Sequence, residues 1–298
     1  MNVNPNYIQQ LTAALSRNTA QQQALASQIS SGVRLTGIGD GPVAAAQNVQ
    51  ISAQIAADST FTQTAATTTA RMQVVDSTLG SVVGQINQAI SVATAGNNGT
   101  NNASDRTSVA SELSSIRDEI LGLANTSYSG TYLFSGSQNG SAPFALDAST
   151  SPASVTYSGD SLVNYVNTPG GQSIATNLPG NQIFSATGGD LLGTLNALIQ
   201  GFSTGDTPTT IALTSQLGTA LSQVSTQRAS LDGAMNRLQS ASSYASREQT
   251  QSVSNQTNLL QADLPTLATQ LSANTTQQSA LESVIVAIEQ QGTLFDHM

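Results

Sequence analysis

Residues 6–31 read NYIQQLTAALSRNTAQQQALASQISS, and residues 264–291, near the other end of the chain, read LPTLATQLSANTTQQSALESVIVAIEQQ. In the first stretch Ile8, Leu11, Leu15, Asn18, Gln22, Leu25 and Ile29 recur at spacings of three and four, the seam of a coiled-coil helix. Gly32 is a natural stop, since glycine takes the left-handed conformation that ends a helix. In the second stretch Leu264, Leu267, Leu271, Asn274, Gln278, Leu281, Ile285 and Ile288 hold the same period. Pro265 is tolerated in a first turn, so Asp263 or Leu264 is expected to cap a helix running to about Gln291. Each seam has apolar ends and two consecutive amides in its middle. Paired antiparallel, Asn18 and Gln22 fall opposite Gln278 and Asn274, and buried amides would fix that register at some cost in stability. Two unrelated amphipathic helices with polar interruptions remain the alternative.

Working inward, Gly37, Gly39, Asp40, Gly41 and Pro42 form a linker, with Pro42 suited to open the next helix. From Pro42 to about Ala95, Phe61, Ala65, Thr68, Met72, Val75, Leu79, Val82, Ile86 and Ala89 keep the seven-residue period. A helix of that length would extend roughly 80 Å, a rod more than part of a globule. Gly80 and Gly84 each weaken it by about 1 kcal/mol, enough to allow a local break. Asn97 to Asn102 form a turn, and Ser104 is placed to cap a third helix carrying Val109, Leu113, Ile116, Ile120 and Leu123. Between Tyr128 and Gly205 the helical period gives way to Gly, Pro, Tyr and Phe. Thr131–Phe134, Ser154–Tyr157 and Leu162–Val166 read as short strands, and Asp190–Gln200 as a short helix. Helix returns from Ile211 to about Gln261, with Leu217, Leu221, Val224, Leu231, Met235 and Leu238 on its apolar side.

The expected fold is therefore mainly α: a long coiled-coil-like rod with paired N- and C-termini and a small β-rich insert. Residues 1–36 and 263–298 would form an assembly domain, 37–127 and 208–262 the helical rod, and 128–207 the β-rich insert.

Composition narrows the chemistry. Charged residues make up 8% of the chain, against roughly 25% in ordinary soluble domains. Lysine is absent, and the eight arginines are scattered singly. With a net charge of −9 and no basic patch, neither nucleic acid nor an anionic membrane surface is an expected partner. The chain has no cysteine, which excludes disulfides, thiolate metal sites and a thiol nucleophile. Its single histidine is His297, and a general base needs a fixed position that a chain end rarely gives. Without lysine there is no Walker A loop and no Schiff base. Gly37-Ile38-Gly39-Asp40-Gly41 follows a helix, not a strand, so it reads as linker and not as a phosphate loop. Gly188-Gly189-Asp190 reads as a turn with an N-cap. The expectation is no enzyme, no cofactor and no metal. Met1 to Gln10 has neither the basic nor the apolar region of a secretory signal, so export would use another route.

Particular segments resemble the bacterial flagellin superfamily. Gln28-Ile29-Ser30-Ser31-Gly32-Val33-Arg34-Leu35 is similar to the family's end of the first helix. Asp40-Gly41-Pro42-Val43-Ala44-Ala45-Ala46 is similar to its entry to the rod helix, with Gly41 in place of a second Asp. Arg228 to Leu238 resembles a shared segment of the penultimate helix, with Asp232 as an extra residue. Gly130 to Gly136 followed by Pro143-Phe144, Tyr157-Ser158-Gly159-Asp160, and the ending Leu294-Phe295-Asp296-His297-Met298 resemble the branch that joins hook to filament more than filament flagellin, which remains the alternative.

The resemblance implies a secreted structural subunit of the flagellum, exported by the type III apparatus. It implies a ring of copies between a hook-associated neighbour and filament flagellin, and an export chaperone on the C-terminal helix. The assembly seam would be the residues of the two terminal helices named above, extended by Leu294 and Phe295. Because isolated helices of this length are marginal in water, they are expected to order on assembly.

Overall fold

The computed structural model describes residues 5–35, 41–98, 101–138, 140–186 and 189–295; for Pro5, Asn6, Ile8 and residues 289–295 it describes the backbone alone. The chain forms α1 (Pro5–Ser31), α2 (Pro42–Gly96), α3 (Ala103–Ala124), strands β1 (Ser127–Tyr128), β2 (Thr131–Tyr132), β3 (Phe144–Asp147), β4 (Ser154–Tyr157), β5 (Tyr165–Asn167), β6 (Ser173–Ala175), β7 (Ser185–Ala186) and β8 (Gly189–Asp190), then α4 (Leu191–Thr204), α5 (Thr207–Leu260) and α6 (Leu264–Phe295). The mainly α architecture with long helices and a β-rich insert is the one the seven-residue period dictates. Most of the expected linker before α2 lies outside the described residues.

The chain divides into two compact units, residues 1–57 with 247–298, and residues 58–246. In the second unit the seam of α2 (Phe61, Ala65, Met72, Val75, Leu79, Val82, Ile86, Ala89 and Ala93) is buried with the apolar faces of α3 and α5. The core is completed by α4, whose Leu191, Leu192, Leu195 and Leu198 are wholly buried.

α2 does not break at Gly80 or Gly84. The fully buried Leu79, Val82 and Ile86 flank both glycines. That burial outweighs two helix-propensity penalties of about 1 kcal/mol each. Gly80 also faces the guanidinium of Arg228, which forks onto Asp76 at 2.6 and 3.2 Å and ties α5 to α2. The Asp76 hydrogen bond holds this guanidinium further into its charged form.

The cap of α3 is Asn102, not Ser104. Asn102 Oδ1 accepts from the Ser104 and Asp105 N–H groups, and Asp105 accepts from the Asn102 N–H, a complete capping box. α5 begins at Thr207, four residues before the apolar period does, because Asp206 caps it through the Thr209 N–H and hydroxyl. Asp263 does the same for α6 through Thr266. Asp190 caps α4 through the Gly193 N–H, and Gly205, with φ of 79°, closes it.

The insert holds four separate two-stranded antiparallel ribbons, β1–β2, β3–β4, β5–β6 and β7–β8. The strand expected over Leu162–Val166 starts later, at Tyr165, because Asn177 engages the chain before it. Asn177 accepts from the Asn164 N–H and donates to the Leu162 carbonyl. Phe134, Phe144 and Phe184 join the insert to the core, Phe184 lying edge-on to both others at 5.2 and 5.3 Å between ring centres.

The Asp160 carboxylate clasps the loop after β2. It accepts from the Ser137 N–H, the Ser137 hydroxyl and the Leu162 N–H. Gly136 sits there at φ of 70°, where a Cβ would collide with the carboxylate. These hydrogen bonds, with that from the Ser137 hydroxyl foremost, hold the Asp160 pKa below the ordinary value. A lowered folded-state pKa stabilises the fold fully above the unfolded value of roughly 3.9, and that stabilisation is lost as pH falls on through the lowered folded-state value. Asp160→Asn is therefore expected to lower the thermal midpoint at pH 7, with the gap from wild type narrowing by pH 3. Melting curves at both pH values check this; an equal gap at both would show that the carboxylate charge contributes nothing.

Candidate assembly interface

In the first unit α1 and α6 pack against each other. Their joint is built by backbone pairing. Ala262 N–H donates to the Gly32 carbonyl at 3.0 Å, and Arg34 N–H to the Leu260 carbonyl at 2.7 Å. The Arg34 guanidinium adds a bond to the Leu259 carbonyl at 3.1 Å. Gly32 makes the turn possible with φ of 67°. Close by, the Gln256 amide donates to both Asn48 and Ser52 at 2.8 Å, linking α5 to α2. Periodicity alone did not single out Arg34 or Gln256, because polar contacts leave no repeat; Arg34 was visible only within the Gln28–Leu35 segment.

The seam residues are unevenly covered. Asn18, Leu25 and Asn274 are 5%, 7% and 6% exposed, whereas Leu11, Leu15, Gln22, Ile29, Leu267, Leu271, Gln278, Leu281, Ile285 and Ile288 are half-buried. Leu264 is 46% exposed, and on the two flanks of the α6 seam at Ile285, Val284 and Val286 stand at 41% and 50%. The side chains of Ile8, Leu294 and Phe295 lie outside the described residues. A pair of helices this long thus leaves most of its leucines half in water.

The four amides expected to face one another across the seam make their bonds elsewhere. Asn18 Nδ2 donates to the backbone carbonyl of Asn274 at 3.3 Å, and Gln22 Nε2 to the Thr275 hydroxyl at 3.3 Å. Gln278 turns to Glu282 on its own helix at 3.0 Å. The Asn18 Oδ1 atom and both polar atoms of the Asn274 side chain are buried without a hydrogen-bond partner. A hydroxyl and a main-chain carbonyl compete as well for these donors as a second amide does, and no residue spacing encodes that choice.

Among the described residues no group of three or more His, Cys, Asp or Glu could hold a metal ion. No described helix is long and apolar enough to cross a membrane. His297 lies outside the described residues.

A mainly α chain with paired terminal helices, long inner helices and a β-rich insert has a flagellin-type fold. Residues 3–139 match the family described as the bacterial flagellin N-terminal helical region. Within that class the chain is similar to flagellar hook-associated protein 3 of Salmonella typhimurium, at 33% identity over 46% of this chain and 43% of the relative. The match thus spans less than half the length of that curated relative. Two solved structures share the fold. One, from Vibrio parahaemolyticus and described as a flagellar hook-associated protein, has a TM-score of 0.66 at 21% identity, covering 74% of this chain and all of the other. The other, flagellar hook-associated protein 3 of Legionella pneumophila, has a TM-score of 0.63 at 14% identity, covering 70% and 98%.

Proposed function

We propose that this chain is a structural subunit of the bacterial flagellum, forming the ring that joins hook to filament and having no catalytic role. The observation that carries the reading is the α1/α6 pair, most of whose leucines stay half-buried and whose valines flanking the seam stay exposed. Such a pair becomes a stable core only among neighbours, since fully burying each Leu or Ile contributes roughly 1.5–3 kcal/mol. The similarity to hook-associated protein 3 points to which flagellar layer those neighbours form.

In this reading residues 1–36 and 263–298 are the assembly domain, residues 37–127 and 208–262 the rod, and residues 128–207 the insert with the least assembly duty. The copies touch a hook-associated neighbour on one side and filament flagellin on the other. The chain reaches that place by type III export, with a cytoplasmic chaperone covering the C-terminal helix beforehand. The near absence of charge suits a subunit packed among its own kind, since neighbouring copies barely repel.

Gene deletion tests this. The expected result is cells that keep their hooks, carry no filaments and shed flagellin into the medium, with recovery on complementation. Normal filaments in the deletion strain would reject the junction role; loss of hook and filament together would place the chain elsewhere in the organelle.

A further inference from the structure

The last carbonyls of α5 are capped from the far end of the chain. Gln261 N–H closes the final turn on the Thr257 carbonyl at 2.8 Å. Past that bond the Leu259 and Leu260 carbonyls are among the orphan acceptors that any helix leaves at its C-terminus. One residue takes both. The Arg34 N–H donates to Leu260, and the Arg34 guanidinium donates to Leu259 across 225 positions of sequence. The guanidinium also sits where the helix dipole favours positive charge. The caps described on other helices are local: Asn102 opens α3, Asp190 and Gly205 bound α4, and Asp263 opens α6.

The same segment sets where α6 begins. Ala262, between the two helices, is buried and donates its N–H to the Gly32 carbonyl. With the Arg34–Leu260 bond this frames an antiparallel bridge between Val33 and Gln261. The residue after Ala262 is Asp263, which caps α6 through Thr266. Helices draw most of their stability from packing and not from propensity, so α6 needs a fixed start and a partner face. Gly32, Val33 and Arg34 supply the first. α1, which ends at Ser31, supplies the second.

We infer that residues 32–34 are a latch: docking them caps α5, fixes the start of α6 and brings α1 alongside, so that the two terminal helices order together or not at all. A chain whose N-terminal segment is undocked loses α6 as well, although α6 itself is unchanged. The latch is a property of the single chain and does not depend on which flagellar layer the chain occupies.

Hydrogen exchange on the full-length protein tests this, and the absence of cysteine allows a clean cross-link. Residues opposed in an antiparallel bridge lie about 4.5–5.5 Å apart at Cα, within disulfide reach. Val33→Cys with Gln261→Cys can therefore be locked by mild oxidation. Arg34→Ala is expected to speed exchange of the amides of residues 267–288 at least about tenfold, the effect of losing one charge-assisted hydrogen bond. Gly32→Ala should do the same, because φ of 67° strains alanine while the added Cβ meets nothing within 4 Å. Amides of residues 58–246 should keep their wild-type rates. Adding the oxidised cysteine pair to Arg34→Ala should return α6 to wild-type protection, and reduction should undo the rescue. Faster exchange confined to residues 259–262, with α6 still protected, would overturn the latch and leave only a local cap. Free exchange of α6 in the wild-type chain, or no rescue by the disulfide, would also overturn it, because the docked segment would then not be what holds α6.

Discussion

Replacing Leu267 and Ile285 together by Asp is expected to abolish incorporation into the flagellum while leaving residues 58–246 folded. Both side chains lie on the α1-facing seam of α6 and are half-buried in the single chain. Neighbouring copies would bury the remainder, so each substitution removes an apolar contact worth roughly 1.5–3 kcal/mol and forces a carboxylate into an apolar seam. Two such losses of about 2 kcal/mol each weaken association about a thousandfold.

The core of the second unit contains neither residue, being drawn from Phe61 to Ala245. Its cooperative unfolding should therefore stay within about 1 °C of wild type, since distant substitutions act independently. Electron microscopy of cells carrying the double variant, with melting curves of the purified chain, checks both halves. Wild-type filament numbers would show that the α6 seam has no part in assembly. A collapse of the main melting transition would show that the variant fails by unfolding.

Much of this was legible in the primary structure because it is written in a period. Leu11, Leu15, Leu25, Leu267, Leu271 and Leu281 recur at three and four, and a helix turns every 3.6 residues, so the pattern names the face that needs covering. The same holds for Phe61 to Ala89 in α2. Helix ends were less legible. Asn102, Ser104 and Asp105 are all competent capping residues, and only the reciprocal bond from Asp105 selects Asn102. The β-rich insert was read least well. β3 and β6 lie in segments without a clear alternation, where Phe144 and Ile174 are the single buried side chains of their strands. With ribbons of two to four residues per strand, the fold is set by tertiary contacts and turn chemistry, which leave little local signal.

At the interface, composition showed where amides sit but not what they bond. The bonds depend on side-chain reach: Gln22 finds Thr275, which lies outside the heptad seam, and Gln278 finds Glu282 on its own helix.

Phe184 shows how the insert stays attached with so little strand. It lies just after the turn at Gly180, whose N–H donates to the Phe134 carbonyl at 2.8 Å. The Phe184 carbonyl accepts from the Leu191 N–H at 3.1 Å, so this residue ties the turn to the start of α4. Its ring meets Phe134, just after β2, and Phe144, which opens β3. Phe184→Ala would open a cavity among segments that cannot close over it, since Phe134, Phe144 and Leu191 are each held by backbone hydrogen bonds of their own. The expected loss is about 3–5 kcal/mol, plus about 0.5–1.5 kcal/mol for the edge-on ring contacts. That is a large share of the 5–15 kcal/mol that keeps a domain folded. Urea titration followed by tyrosine fluorescence should show the midpoint falling with the slope unchanged, because the surface exposed on unfolding is nearly the same. A loss below about 1 kcal/mol would mean that the three rings are not the joint. A changed slope would mean that the insert had come loose ahead of the helices.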